Sequence, residues 1–450
     1  MRWESGKKHS PEHDNRQSNQ APASYTIVKD GNYFVGEANA PGLSDITANT
    51  NPTTVIQAAH DALTSGGKIH LKGHTDYSLE TGLSISNAGI TFDGEGYTSK
   101  ITQGTSKNIP WLIDVTGKYF CFKNLRLEGN YTENSGSGGL RIQSTASYHH
   151  VLNSYLWHCN TYCLFDDANN ARISHNYIAE ANYPLFFGAA DSVIDNNEIG
   201  GGQLRGVYFS SAGYLRFVGN KVFTCGEYLL YGDTVKYTVI SDNIFGPSTT
   251  YDGIFLTCGA AASGKYNIIS DNDFYSIGRD AIRFNAAEMK YNTVCNNIME
   301  SVTGYGFWTV TAGADYNQIV NNKLVTCGNT IGIQGGENTI VQGNVGYNPI
   351  GKVVNCFDTT NKKIELSGDA AAPGESGVGA QKFTVCNADI LISSTDSGGA
   401  DCDIQIYDPS DNALLQATLS TIDHMHVPVG YKIDWGVYSG AEPTVTVMFI

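Results

Sequence analysis

Three acidic residues recur in matching local settings: Glu227 in "CGEYLLYG", Asp252 in "YDGIFLT" and Asp280 in "RDAIRFN", each just ahead of a short apolar run. Paired carboxyl groups are the working parts of glycoside hydrolysis, about 5 Å apart in retaining enzymes and roughly 6.5–9.5 Å apart in inverting ones. Crowded acids also raise one another's pKa, which leaves one of them protonated as a donor. Arg205 in "LRGVYFS" and Arg283 in "AIRFN" could hold an anionic sugar or stabilise developing negative charge. A lyase would instead need a base to take the proton alpha to a uronate carboxylate, and Tyr208 and Tyr305 are the nearest candidates. The plainer role for any one of the acids is to cap a turn or pair with an arginine.

The apolar runs themselves align as "GLRIQ", "CLFDD", "PLFFG", "GVYFS", "YLLYG", "GIFLT", "AIRFN", "GFWTV" and "GIQGG". Strand alternation puts Leu140, Leu164, Leu185, Val207, Leu229, Ile254, Ile282, Phe307 and Ile333 inside. It turns Arg141, Phe165, Phe186, Tyr208, Leu230, Phe255, Arg283, Trp308 and Gln334 outward in one column. So wide an apolar stripe on an outer wall calls for a partner. Aromatic faces suit the C–H surfaces of a linear glycan, with Phe165, Phe186, Tyr208, Phe255 and Trp308 as contact residues. The same residue types are enriched where subunits pack together, and both readings stay open.

Residues so far apart in the chain meet only if a repeat stacks them. The pattern apolar-x-x-Asn-x-apolar occurs at Asn176, Asn197, Asn220, Asn243, Asn272, Asn297 and Asn322, with Leu125, Ser154 and Asn344 in degenerate copies, a spacing of 21 to 29 residues. A unit this short and strand-rich is one turn of a parallel β-helix, with about 4.8 Å between coils. Asn accepts left-handed backbone angles in a tight turn and bonds its side chain to neighbouring backbone, so a stacked row of Asn satisfies buried amides. "PTTVIQAAHDALT" places Val55, Ile56, Ala59 and Leu63 at helical spacing after a proline, which predicts a helix lidding the first coil.

The expected fold is therefore all-β: a right-handed parallel β-helix with an N-terminal capping helix and a small C-terminal antiparallel domain. The predicted divisions are a polar segment over 1–23, leading strands and helix over 24–118, coils over 119–366, a Gly-rich linker over 367–380 and a β domain over 381–450. Charged residues are only 16% of the 450, and the formal net charge of -16 argues against nucleic acid as a partner. No window of about 18 apolar residues predicts membrane insertion, and the opening residues lack the apolar stretch of a secretory signal. The ten cysteines stand singly without zinc spacing, and Cys159, Cys225 and Cys327 share one repeat slot, as buried free thiols do. A disulfide between Cys386 and Cys402 is the rival arrangement. No cofactor motif is present.

With its helix lid, Asn ladder and segments such as "GLSI" and "GITFDGEG", the chain from about 40 to 360 resembles the pectin-lyase-like right-handed β-helix superfamily, and within it the phage and virus tailspikes. The resemblance implies a homotrimeric, glycan-recognising spike on a virion tail or outside the cell, with an N-terminus that could dock to other tail proteins. "HMH" at His424 to His426 looks like the His-x-His iron site at the tip of some phage spikes. "FDD" at Phe165 to Asp167 resembles one fragment of the polygalacturonase pattern, whose other parts are missing, and the Trp-x-Asp-His of calcium pectate lyases has no match at "WHCN". Three functions follow: a spike that binds and cleaves a host surface polysaccharide as hydrolase or lyase, a non-catalytic adhesin with its aromatic face buried between subunits, or a free-standing lyase, hydrolase or epimerase.

Overall fold

A computed structural model of the chain describes residues 23–346 apart from 131–137, 260–263, 312 and 334–337, together with the backbone of eight strands between 363 and 449. Residues 23–346 wind into a right-handed parallel β-helix of about eleven turns with very little helix. Each coil contributes a first-face strand such as Ile268–Ser270, a corner, a second-face strand such as Asp273–Ile277, a variable loop and a third-face strand such as Ile282–Phe284. Strands on each face pair in parallel with the coil before and after, for example Ile240 with Ile269 and Ile269 with Val294. Late in the solenoid the second and third faces merge into single long strands, Ile298–Thr309 and Lys323–Ile333.

The corner between the first and second faces is where the Asn repeat acts. Asn272 Oδ1 accepts from the backbone N–H of Asn243 at 3.0 Å and from its Nδ2 at 2.9 Å. Asn243 Nδ2 also donates to the Phe217 carbonyl at 2.9 Å. The same set repeats from Asn176 to Asn344, and each of these side chains is buried. The left-handed angle lies one residue earlier than the sequence suggests. It belongs to Asp242, Asp271, Asn296 and Asn321, whose φ values are 56° to 58°, while the ladder Asn itself keeps its side chain pointing inward. A second Asn row, Asn267, Asn292 and Asn317, links the coils in the same way at the corner leading into the first face.

The predicted helix forms at Pro52–Ala62. Asn51 caps it by accepting from Thr53 N at 2.9 Å, and Val55, Ile56 and Ala59 are buried. Gln57 clasps Ser84 through both its backbone N–H and its carbonyl, and His60 Nε2 accepts from Ser86 N and Asn87 N. The helix therefore seals the open end of the first third-face strand, Leu83–Ile85. On the first face, Ser24–Asp30 pairs in parallel with Gly67–Leu71 but antiparallel with Tyr33–Ala38. Parallel stacking is already under way at Gly67–Leu71, well ahead of Phe120.

Among the described residues no cysteine takes part in a disulfide, and Cys159, Cys163, Cys225 and Cys327 are buried in the core. Beyond 363, the strands form two four-stranded antiparallel sheets. The polar N-terminal segment, the 367–380 linker, the Cys386 and Cys402 thiols and the His424 and His426 side chains lie outside the described residues. Among the described residues no helix is long and apolar enough to cross a membrane.

Asn243→Ala strips the partners from Asn220 N–H and the Phe217 carbonyl in a dry interior, so it should cost about 2–4 kcal/mol in denaturant unfolding. Asp273→Ala, exposed on the next coil, should stay within about 0.5 kcal/mol.

Candidate saccharide-binding face

The third face brings the predicted column together. Arg141, Phe165, Phe186 and Tyr208 lie in register on successive strands, then Tyr231, Phe255, Arg283 and Trp308. Tyr231 stands where Leu230 was expected. Leu230 faces the core in line with Val207 and Ile254, and Leu229 fills the slot held by Gly206, Gly253 and Ala281 in neighbouring coils. Both leucines are fully buried, so alternation alone could not choose between them. The last coil shifts likewise: Ile331 faces inward where Ile333 was expected, which puts Gly332 beside Trp308, and Gln334 lies outside the described residues.

That one-residue shift also moves Glu227 out of the acid row. Tyr228 sits between Arg205 and Asp252, as the bonds from Gly206 N to Tyr228 O and from Leu229 N to Asp252 O require. Glu227 is half-buried one residue behind, with Oε2 3.9 Å from Arg205 Nε. Asp252 is consumed by structure: Arg279 grips both of its oxygens, Nε to Oδ1 at 2.7 Å, and Asp280 N donates to the same Oδ1 at 3.0 Å. It takes the arginine-partner role, which removes it as a free acid.

Asp280 differs. Tyr305 N donates to its Oδ1 at 2.8 Å, while the buried Oδ2 has no hydrogen-bond partner and looks toward Arg283 at 3.6 Å and Arg279 at 3.9 Å. Burial, reinforced by the charge of Asp252, pushes this carboxyl up to about 6 against the pull of the Tyr305 N–H and the two guanidiniums. Arg283 lies over Trp308 at 4.5 Å and near Phe255 at 5.7 Å, and its buried Nε also lacks a partner. Arg205 lies over Tyr231 at 3.6 Å and Tyr208 at 4.7 Å. Phe255 faces outward but is covered by Tyr228 and Tyr231, leaving 7% exposed, so it supports the surface rather than forming it. Phe165 and Phe186 stack at 4.4 Å with planes 1° apart.

This architecture has counterparts among solved structures. The Dettilon tailspike protein matches with a TM-score of 0.54 at 13% identity, covering 88% of this chain and 90% of that one. The A-module of the mannuronan C-5 epimerase AlgE4 from Azotobacter vinelandii matches at 0.50 and 16% identity, covering 64% and 95%. The chain shares the right-handed parallel β-helix fold with these proteins. The family profile "Periplasmic copper-binding protein (NosD)" matches residues 113–278, and no curated protein sequence matches. Copper does not fit this β-helix as described, because among the described residues no three His, Cys, Asp or Glu side chains gather as ligands.

Several residues of the face escape a reading by sequence. Arg279 gives no signal, because its partner Asp252 lies a full coil away. Tyr162 and Tyr228 stand in the slot at the head of the third-face strands, which they share with Tyr183, and Tyr162 stacks with Tyr183 at 5.3 Å. Asp167 is exposed at the edge of Phe186, and desolvation followed by the charge of Asp166 raises its pKa.

Because Asp280 is held near 6, the folded chain binds its proton more tightly than the unfolded chain, whose carboxyl titrates at the ordinary 3.8. That contribution is complete below 3.8 and is lost as pH rises through 6. Asp280→Asn should therefore flatten the decline in stability over this window and, at pH 8, raise the unfolding free energy above wild type by up to about 3 kcal/mol. Denaturant melts at a series of pH values check this.

Proposed function

We propose that the third face binds a linear surface polysaccharide and that Asp280, with Arg283 above it, is the acid–base centre that cleaves it. The carrying observation is the Asp280 carboxyl: raised to about 6, with an unpaired Oδ2 directed at the Arg283 guanidinium, which itself lies over Trp308. A carboxyl held in that range is protonated often enough near neutrality to hand a proton to a leaving glycosidic oxygen. Arg283 and Arg205 supply positive charge for an anionic sugar, while Tyr208, Phe186 and Trp308 offer ring surface for its apolar faces. Glu227, half-buried beside Arg205, is the second carboxylate within the same stretch of coils. The likeness to the Dettilon tailspike over most of both chains supports a receptor-binding spike, homotrimeric and displayed on a virion tail or outside the cell.

A binding-only spike is the second reading, favoured by one feature: Asp280 is 1% exposed, sealed beneath Arg283. Incubation with purified capsule or lipopolysaccharide separates the two. Cleavage by hydrolysis appears as new reducing ends without ultraviolet absorbance, and lyase cleavage as reducing ends with the absorbance of an unsaturated uronate. Asp280→Asn should cut turnover at least about 100-fold while leaving glycan affinity within about threefold. Trp308→Ala should weaken affinity about tenfold. Full turnover in Asp280→Asn would remove this residue from the chemistry, and binding without any cleavage by wild type would establish the adhesin.

A further inference from the structure

A different column runs along the edge of the first face. Tyr214, Tyr237, Tyr266, Tyr291 and Tyr316 each stand two residues ahead of a first-face strand, with ring centroids 4.9, 5.2, 5.4 and 5.0 Å apart and planes within 15° of parallel. All five are 42% to 58% exposed. All five also adopt left-handed backbone angles, φ 53° to 60°, which disfavour a bulky side chain. The turn does not demand tyrosine. Two earlier coils hold the same angle with Asn170 and Asp191, residue types that accept it readily. The chain thus keeps an aromatic phenol where a cheaper residue would close the same corner.

A second row accompanies the rings. Lys236, Lys265 and Lys290 directly precede the three central tyrosines, and the bonds from Tyr214 N to Lys236 O and from Tyr237 N to Lys265 O hold the rows in register. The facing acids are few. Glu288 is shared at 3.9 Å by Lys265 and Lys290, and in the next coil Asp315 is engaged by Tyr316 N and by Asn338. A ribbon of ammonium and phenol groups thus runs along the axis of a protein whose net charge is -16.

We propose that this Tyr–Lys ribbon is a binding site for an acidic linear polysaccharide laid along the solenoid axis, separate from the third face and independent of any cleavage there. The coil rise of about 4.8 Å is close to the length of one pyranose unit, so successive sugars meet successive Tyr–Lys pairs. The stacked rings spend their faces on one another and turn edges and hydroxyls outward, which suits hydrogen bonding to sugar hydroxyls and carboxylates. That geometry argues against single-stranded nucleic acid, which needs free ring faces for base stacking. The lysine row argues against a second copy of the chain, since lysine is depleted at subunit interfaces.

Calorimetric titration of the full chain with polygalacturonate oligosaccharides tests the site, with dextran oligosaccharides and a single-stranded DNA oligonucleotide as comparison ligands. Polygalacturonate should bind, more weakly as salt is raised, while dextran and DNA should not. The combined Lys236→Gln, Lys265→Gln, Lys290→Gln variant should bind about tenfold more weakly, the loss from roughly three solvated charge contacts. Tyr237→Asn, Tyr266→Asn and Tyr291→Asn together should abolish binding with an unchanged fold, because Asn accepts the same backbone angle. Trp308→Ala, which weakens glycan binding at the third face, should leave this binding untouched, which separates the ribbon from the third-face site. No binding by wild type, equal binding of dextran, preference for DNA, undiminished binding in the lysine variant, or a changed molecular mass in the tyrosine variant would each overturn the proposal.

Discussion

The structure depends on how a buried corner satisfies its own peptide groups. At each turn from the first to the second face, the backbone leaves the sheet ladder at a position buried from solvent, and an unpaired amide there would cost about 1–3 kcal/mol. The Asn side chain closes that gap in both directions, since it accepts from the coil before it and donates to that coil's carbonyl. Each coil is thereby locked to its neighbour at one fixed register. A single slip would unpair two amides and rotate every strand's core residue to the outside.

That register makes the outer walls chemically repetitive, which has electrostatic consequences. Residues at the same slot stand one coil rise apart, so like charges in a column repel and must be answered locally. Asp252 and Asp280 are successive members of one column, and the protein treats them oppositely: the first receives the full grip of Arg279, and the second is left with a raised pKa beneath Arg283. Two chemically identical neighbours are thus divided into a carboxylate clamped by a guanidinium and one whose pKa is raised. The aromatic residues around them are set by the same stacking, and their contacts with Arg205 and Arg283 hold the guanidiniums flat against the wall.

Much of this was legible in the chain because the constraint is periodic. The Asn slot recurs with enough fidelity to reveal the coil, and strand alternation from Arg141 through the coil after Trp308 separates core from surface except at two coils. The first occurs where two fully buried neighbours carry the same residue, Leu229 and Leu230, and the second where Ile331 and the partly buried Ile333 lie on one face, both packed against the core. Apolar patterning carries no information when neighbouring slots are both inside. The partnership of Asp252 with Arg279 was illegible for another reason, since it joins residues in different slots of different coils and nothing periodic marks it. Tyr266 and its stacked neighbours are written plainly in the repeat, in "KYN" and "DYN", but the Asn that marks each coil stands six residues further on.

The leading end of the solenoid settles how copies of this molecule can meet. Ser24–Asp30 offers its outer edge to Tyr33–Ala38, which runs the opposite way, while Gln57 and His60 occupy the free peptide groups beside Leu83–Ile85. A parallel strand ladder is otherwise an open template, and an uncovered one recruits identical edges from other molecules into fibres. Reversed polarity on one face and a helix across another deny an incoming chain any matching row of donors and acceptors at this end. Growth by tip-to-tip winding is thereby opposed at the leading end of the described residues.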